Sequence, residues 1–178
     1  MPTPPSIPYD HLPEVATLNV VSDDVRDGER KPEAHVYNDW GMTGQNLSPN
    51  LQWSGAPEGT KSYAVTCYDP DAPTGSGFWH WVLFDIPADV TELPTGAGTA
   101  PGFKGLPEGA VHARNDFNAK QYDGAAPPPG HPHRYLFAVH ALGVDKLGVD
   151  SDTSPAVVGF NITANTLARG YIAPVYET

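Results

Sequence analysis

The stretch "APPPGHPHRYLFAVHAL", residues 126–142, decides how the chain is read. Its second half alternates along an extended strand. His133, Tyr135, Phe137, Val139 and Ala141 share one face, and Arg134, Leu136, Ala138, His140 and Leu142 share the other. Both faces are largely apolar, as in a central strand covered on both sides. The first half is different. Three prolines stiffen the backbone, and a glycine follows them, just before His131, His133 and Tyr135, although a turn needs only one proline. A stiff loop that delivers titratable groups fits a binding or catalytic rim, a metal site, or a plain strand entry.

Two further central strands are legible. In "KSYAVTCYD" (61–69), Tyr63, Val65, Cys67 and Asp69 alternate with Ala64, Thr66 and Tyr68. In "FWHWVLFDIP" (78–87), strict alternation sets Phe78, His80, Val82 and Phe84 against Trp79, Trp81 and Leu83. "SPAVVGFNITANTLARGYI" (154–172) reads as a helix, with Ser154 as N-cap and Pro155 at the first helical position. "APVYE" near the C-terminus reads as a short edge strand. Residues 88–109 carry no periodicity and read as an ordered surface loop. The chain contains 18 Gly and 20 Pro among 178 residues, which favours strands joined by ordered loops over a helical bundle. The expectation is a mostly β domain over residues 13–178, with a C-terminal helix. A flexible Pro-rich tail is expected over residues 1–12.

The net charge of −11 argues against nucleic acid or an anionic membrane surface as a general partner, because both would repel the protein at long range. One small anion held by backbone N–H groups and histidines is still compatible with that charge, because such a pocket acts at short range. The single cysteine, Cys67, excludes an intrachain disulfide and lies mid-strand like a buried small hydrophobe. No apolar run approaches 18 residues, and the N-terminus shows neither the basic nor the apolar region of a secretory leader. A cytoplasmic protein is expected.

Asp69 ends one central strand, while His80 and His133 begin the next two. In antiparallel neighbours these ends lie side by side, so the three side chains can converge on one rim. His80, His131, His133, Asp69 and Asp71 are adequate metal ligands, but the glutamate that follows a His-x-His metal pattern is missing. A hydrolase reading lacks a nucleophile elbow. An anion pocket uses His80, His133, Tyr135 and the stiff loop together, with aromatic walls. His11, His35 and His112 read as surface residues.

"YDPDAPTGSGFWHWVLFDIP" followed by "APPPGHPHRYLFAVHAL" closely resembles the two signature regions of the phosphatidylethanolamine-binding protein family, which includes Raf kinase inhibitor protein. "RNDF…YDGAAPPPGHPHRY" resembles its bacterial and archaeal branch. The resemblance implies a large antiparallel sheet packed on a smaller one, plus a C-terminal helix. It implies a pocket for small anions, phosphate-bearing ligands or phospholipid headgroups, formed by Asp69, His80, Pro127, Pro128, His133 and Tyr135. Phe78 lines its mouth, and Asp71 and Arg134 brace it from behind. One or more of the proline peptides is expected to be cis, and both His80 and His133 are expected to donate to the ligand, with Asp69 orienting a histidine. A binding protein, not an enzyme, is expected, with no metal or cofactor. A protein kinase or serine protease is a candidate partner, and a homodimer a candidate assembly. The alternative is a metal-dependent or hydrolytic enzyme built on the His/Asp cluster.

Overall fold

The structure, a computed structural model, describes residues 6–178. Among these residues the strands are β1 (Ala16–Thr17), β2 (Asn19–Val21), β3 (Leu51–Ser54), β4 (Ser62–Asp69), β5 (Phe78–Pro87), β6 (Glu92–Leu93), β7 (Val111–His112), β8 (His133–Arg134), β9 (Leu136–Leu142), β10 (Thr166–Ile172) and β11 (Val175–Tyr176). Helix α1 (Pro155–Asn165) precedes β10. The large sheet runs β1-β10-β9-β4-β5-β7 and is antiparallel except for the β1–β10 pair. A three-stranded sheet, β2-β3-β6, and a two-stranded one, β8 with β11, complete the described architecture.

Both faces of the large sheet are buried, as the apolar strands require. One face of β4 (Tyr63, Val65, Cys67) packs with Tyr135, Phe137, Val139 and Ala141, against Val20, Leu51 and Leu93 of the small sheet. The other face packs Ala64, Val82, Phe84 and Leu142 against Val158 and Ile162 of α1. Each Val, Leu, Ile or Phe among them contributes about 1.5–3 kcal/mol on burial. The Ser154 side chain caps α1 by accepting from the Val157 N–H.

Several elements differ from the sequence expectation. The helix stops at Asn165, and "TLARGYI" is β10, seated between β9 and β1. A Cβ on Gly170 would lie 2.2 Å from the Leu18 carbonyl oxygen, so close strand approach depends on this glycine. Tyr135 interrupts the expected continuous strand, leaving His133 and Arg134 to pair with β11. The 88–109 excursion is not confined to the surface: β6 joins the small sheet, and Leu93 and Ala97 are buried.

Strict alternation fails in β5 because the strand carries two bulges. Tyr63 pairs with Ile86 but Val65 with Leu83; Cys67 pairs with Trp81 but Tyr68 with Trp79. An extra residue in one strand reverses the facing beyond it. Trp81 and Leu83 therefore face the main core, while Trp79 packs on the helix side with Val82 and Phe84. His80, the extra residue of the second bulge, lies beside Phe78 and Tyr135.

Part of the stretch expected as a flexible tail, residues 1–5, lies outside the described residues. From there Pro8–Asp10 form a 3-10 turn, and the Tyr9 ring packs 5.4 Å from that of Tyr171. His35 and His112, expected on the surface, are buried. His35 Nδ1 donates to the Leu47 carbonyl, and His112 Nε2 accepts from the Trp81 indole. His11 is exposed, as expected.

Candidate functional site

The end of β4, the bulged start of β5 and the residues leading into β9 surround one cavity of about 190 Å³. Asp69, His80, Pro127, Pro128, His133 and Tyr135 all line it, as does Phe78. His131 is exposed and lies outside this lining, its ring 4.9 Å from that of His133. Pro127 is buried and Pro128 exposed. Among the described residues the cis peptide is Ala100–Pro101, so the expected cis bond in the proline rim is not there. The Pro127 carbonyl instead accepts from the Thr178 hydroxyl at 2.7 Å.

Two relays fix the carboxylates. Asp69 Oδ1 accepts from the Asp71 N–H at 2.8 Å, an Asx-turn set by the intervening Pro70. Its Oδ2 faces His133 Nδ1 at 2.7 Å. Asp71 in turn accepts from Arg134 N, Nε and Nη2 at 2.8, 2.9 and 2.8 Å. Burial pushes the Asp71 carboxyl up, but these bonds and the guanidinium charge outweigh it and hold the group below its ordinary value.

The two histidines are not equivalent. His80 Nδ1 donates to the Asp123 carbonyl at 2.8 Å, which leaves Nε2 with a lone pair. Burial, reinforced by the Lys31 charge, pulls His80 down to about 4. It is therefore neutral at pH 7 and an acceptor, not the donor expected from the sequence. His133 has a 1% exposed side chain, and its Nε2 is buried without a hydrogen-bond partner among the described residues. With Nδ1 donating to the Asp69 carboxylate, Nε2 is the ring nitrogen left for a ligand.

Several site residues had no role assigned from sequence. Phe117 and the 64% exposed Trp40 wall the cavity, with ring centroids 4.7 Å apart. Behind His80, the Asp123 carboxylate accepts from the side-chain amides of Asn46, Asn115 and Gln121 at 2.9, 2.7 and 2.8 Å. Lys31 is fully buried beneath the pocket. Its ammonium donates to the Tyr122 hydroxyl at 3.1 Å and sits 4.2 Å from the Tyr135 ring centroid. Burial lowers its pKa to about 8, which leaves it mainly charged at pH 7. The "YDG" and "RND" triplets were the available signals for the Asp123 layer. Lys31 gave none.

A β sandwich with a small, aromatic-walled pocket, a carboxylate-paired histidine and a proline rim defines a class of ligand-binding protein. The profile of the phosphatidylethanolamine-binding protein family matches residues 21–177, and the chain belongs to that family. It is 49% identical over 160 residues to the UPF0098 protein YbhB of Escherichia coli, covering 90% of this chain and all of that protein. It is 52% identical over 165 residues to E. coli YbcL, covering 92% and 90% of the two chains. The crystal structure of YbcL, described as a new member of the mammalian PEBP family, superposes with a TM-score of 0.88 at 51% identity over 92% of this chain and 99% of that one. A Chlamydia trachomatis homologue shares the fold, with a TM-score of 0.75 at 23% identity over 91% of this chain and 98% of that one.

Proposed function

We propose that the protein binds a small phosphate-bearing monoanion, free or as a phospholipid headgroup, in the Asp69–His80–His133 cavity. Family membership supports a binding role. The observation that carries the specific reading is His133 Nε2, a buried polar atom of a cavity-lining residue that has no hydrogen-bond partner among the described residues. Leaving such a group unsatisfied costs about 1–3 kcal/mol, which a ligand oxygen removes. His80 supplies the complementary acceptor. A protonated phosphate monoanion offers both an anionic oxygen for His133 and an O–H for His80. The volume of about 190 Å³ suits a headgroup, not acyl chains, since whole small-molecule sites span about 300–1,000 Å³.

Among the described residues no group of three His, Cys, Asp or Glu is placed to hold a metal ion, so the metal-enzyme alternative finds no support there. Burial raises the Cys67 thiol to about 12, which removes it as a nucleophile. A second reading, docking of a kinase or protease partner at the rim, is favoured by exposed Trp40 at the mouth. Inhibition assays comparing wild type with Trp40→Ala test it, and no inhibition by wild type rejects it.

The main test is calorimetric titration with inorganic phosphate and phosphoethanolamine at pH 6, 7 and 8. Binding uses the ligand's own proton, which His80 accepts and which leaves with a pKa of about 6. Affinity therefore falls as pH rises and the dianion replaces the monoanion. His133→Ala abolishes it. Equal affinity in mutant and parent would remove the assignment.

A further inference from the structure

A second cavity, of about 440 Å³, lies on the opposite face of the large sheet, between α1 and the strands. Its volume falls within the range of about 300–1,000 Å³ that holds small organic ligands. Leu12, Trp79, Ala156, Phe160 and Ile162 give it apolar walls. Phe160 is 74% exposed and extends that surface to solvent. Gly159 lines the cavity, and a Cβ there would come no closer than 3.9 Å to Trp79, so this position has room for a side chain.

A cation lines this apolar cavity. Arg169, 9% exposed, reaches it from β10. Its guanidinium lies 4.8 Å over the Tyr9 ring, and its Nε donates to His140 Nδ1 at 3.1 Å. Arg169 and His140 are direct neighbours across β10 and β9. With Nδ1 accepting, His140 carries its proton on Nε2 and donates it to Thr66 Oγ1 at 3.0 Å. Burial and the Arg169 charge hold His140 down at about 3, so the imidazole offers no negative or positive charge of its own. Among the described residues the ion pairs are Arg30–Glu33, Arg114–Asp152, Lys120–Asp152, His133–Asp69 and Arg134–Asp71, so Arg169 pairs with no carboxylate. An uncompensated buried charge is costly, and an oriented guanidinium matches a carboxylate in two parallel hydrogen bonds.

We propose that this cavity binds an amphiphilic monoanion, a fatty carboxylate of medium chain length. Its carboxylate pairs with Arg169, and its alkyl chain lies along α1 between Trp79 and Phe160. Charge complementarity selects the head and the apolar walls hold the tail. Thr66, His140 and Arg169 form a pre-oriented relay, so little ordering is needed when the ligand arrives. This site is separate from the phosphate pocket, which opens on the other face of the same sheet.

The test titrates dodecanoate and uncharged dodecanol, below their aggregation concentrations, into the full chain by calorimetry. The expected result is saturable 1:1 binding of dodecanoate, with dodecanol weaker by about tenfold or more, since the alcohol cannot make charge-assisted hydrogen bonds to Arg169. Gly159→Leu fills the cavity while improving helix propensity, so it abolishes binding in a folded protein. Arg169→Gln lowers dodecanoate affinity to that of dodecanol, and His133→Ala leaves dodecanoate binding unchanged. The proposal is overturned by absent dodecanoate binding, by equal binding of the alcohol, by binding retained in Gly159→Leu, or by loss in His133→Ala. A dimer seen by light scattering, broken by Phe160→Asp in a protein that binds no dodecanoate, assigns the face to a second copy and equally overturns it.

Discussion

Replacing Lys31 with methionine should make the protein's stability less dependent on pH above neutrality. Lys31 is fully buried among Tyr122, Tyr135 and Phe137, and burial lowers its pKa from 10.5 to about 8. At about 1.36 kcal/mol per pH unit, keeping the ammonium charged costs the folded state about 3 kcal/mol below pH 8. The sign follows from proton counting. Between pH 8 and 10.5 the unfolded chain binds the proton and the folded chain does not. The contribution of Lys31 to stability is therefore complete above 10.5, and it is lost as pH falls to 8. Methionine has similar reach and no charge. It also loses the Tyr122 hydrogen bond, worth about 1 kcal/mol, and the cation–π contacts, worth about 0.5–2 kcal/mol. Net stabilisation at pH 7 is then on the order of 1 kcal/mol. From pH 7 to 10.5 the difference between the two proteins should move by about 3 kcal/mol in favour of wild type. Urea unfolding of both proteins at pH 7, 8, 9 and 10, followed by tryptophan fluorescence, measures it. Tyrosine ionisation cancels in the difference. A difference that stays flat across this range would refute the assignment of Lys31 as a buried, charged group.

Acid should destabilise the protein through its buried histidines. Burial lowers His80, His112 and His140 from 6.5 to about 4, 4 and 3, so the unfolded chain gains protons first as pH falls below 6.5. Each costs about 2 kcal/mol at pH 5, so urea unfolding at pH 7 and 5 should differ by about 6 kcal/mol, and a loss below about 2 kcal/mol contradicts the reading. Gly124→Ala places a Cβ 2.4 Å from the His35 carbonyl oxygen, against backbone that cannot yield cheaply. Thermal melts should show a loss of about 2 kcal/mol or more, and unchanged stability would mean that this layer behind His80 is loose. Raising salt from about 10 to 150 mM should leave phosphate affinity unchanged or increased, because it screens the overall −11 charge and not the buried cations. A steep calorimetric decline with salt would point to a basic surface site instead.

Much of this architecture is legible in periodicity alone. Apolar residues on both faces of "SYAVTCY" and "LFAVHAL" require a central sheet covered twice, and β4 and β9 lie there, paired to each other. The convergence of Asp69, His80 and His133 follows from antiparallel strand ends. The signature stretches carried the family because they combine several specific residue patterns. What stayed hidden depends on tertiary context. Period counting treats β5 as regular, yet a bulge at His80 turns that ring toward Phe78 and Tyr135 and sends Trp79 to the opposite face. "TLARGYI" continues an apolar helical pattern, but the slot beside β9 claims it as a strand. The glycine that permits that close approach also looks neutral in a window average. "ERKPEAH" looks like ordinary exposed charge, and only the folded chain buries Lys31.

Local charge reconciles the proposed anionic ligand with a chain of net charge −11. Around the first pocket, the buried Lys31 ammonium lies against Tyr135, and His80 is held neutral. A buried cation attracts an anion at short range more strongly than surface charges repel it through water. Size acts with charge: about 190 Å³ admits a headgroup. Arg169 repeats the logic on the other face, where a guanidinium with no carboxylate partner among the described residues lines a larger cavity. In both places aromatic rings, Tyr135 against Lys31 and Tyr9 against Arg169, hold the cation without neutralising it. A carboxylate in either position would have been the more stable neighbour, and it would have left nothing for an anionic ligand to neutralise.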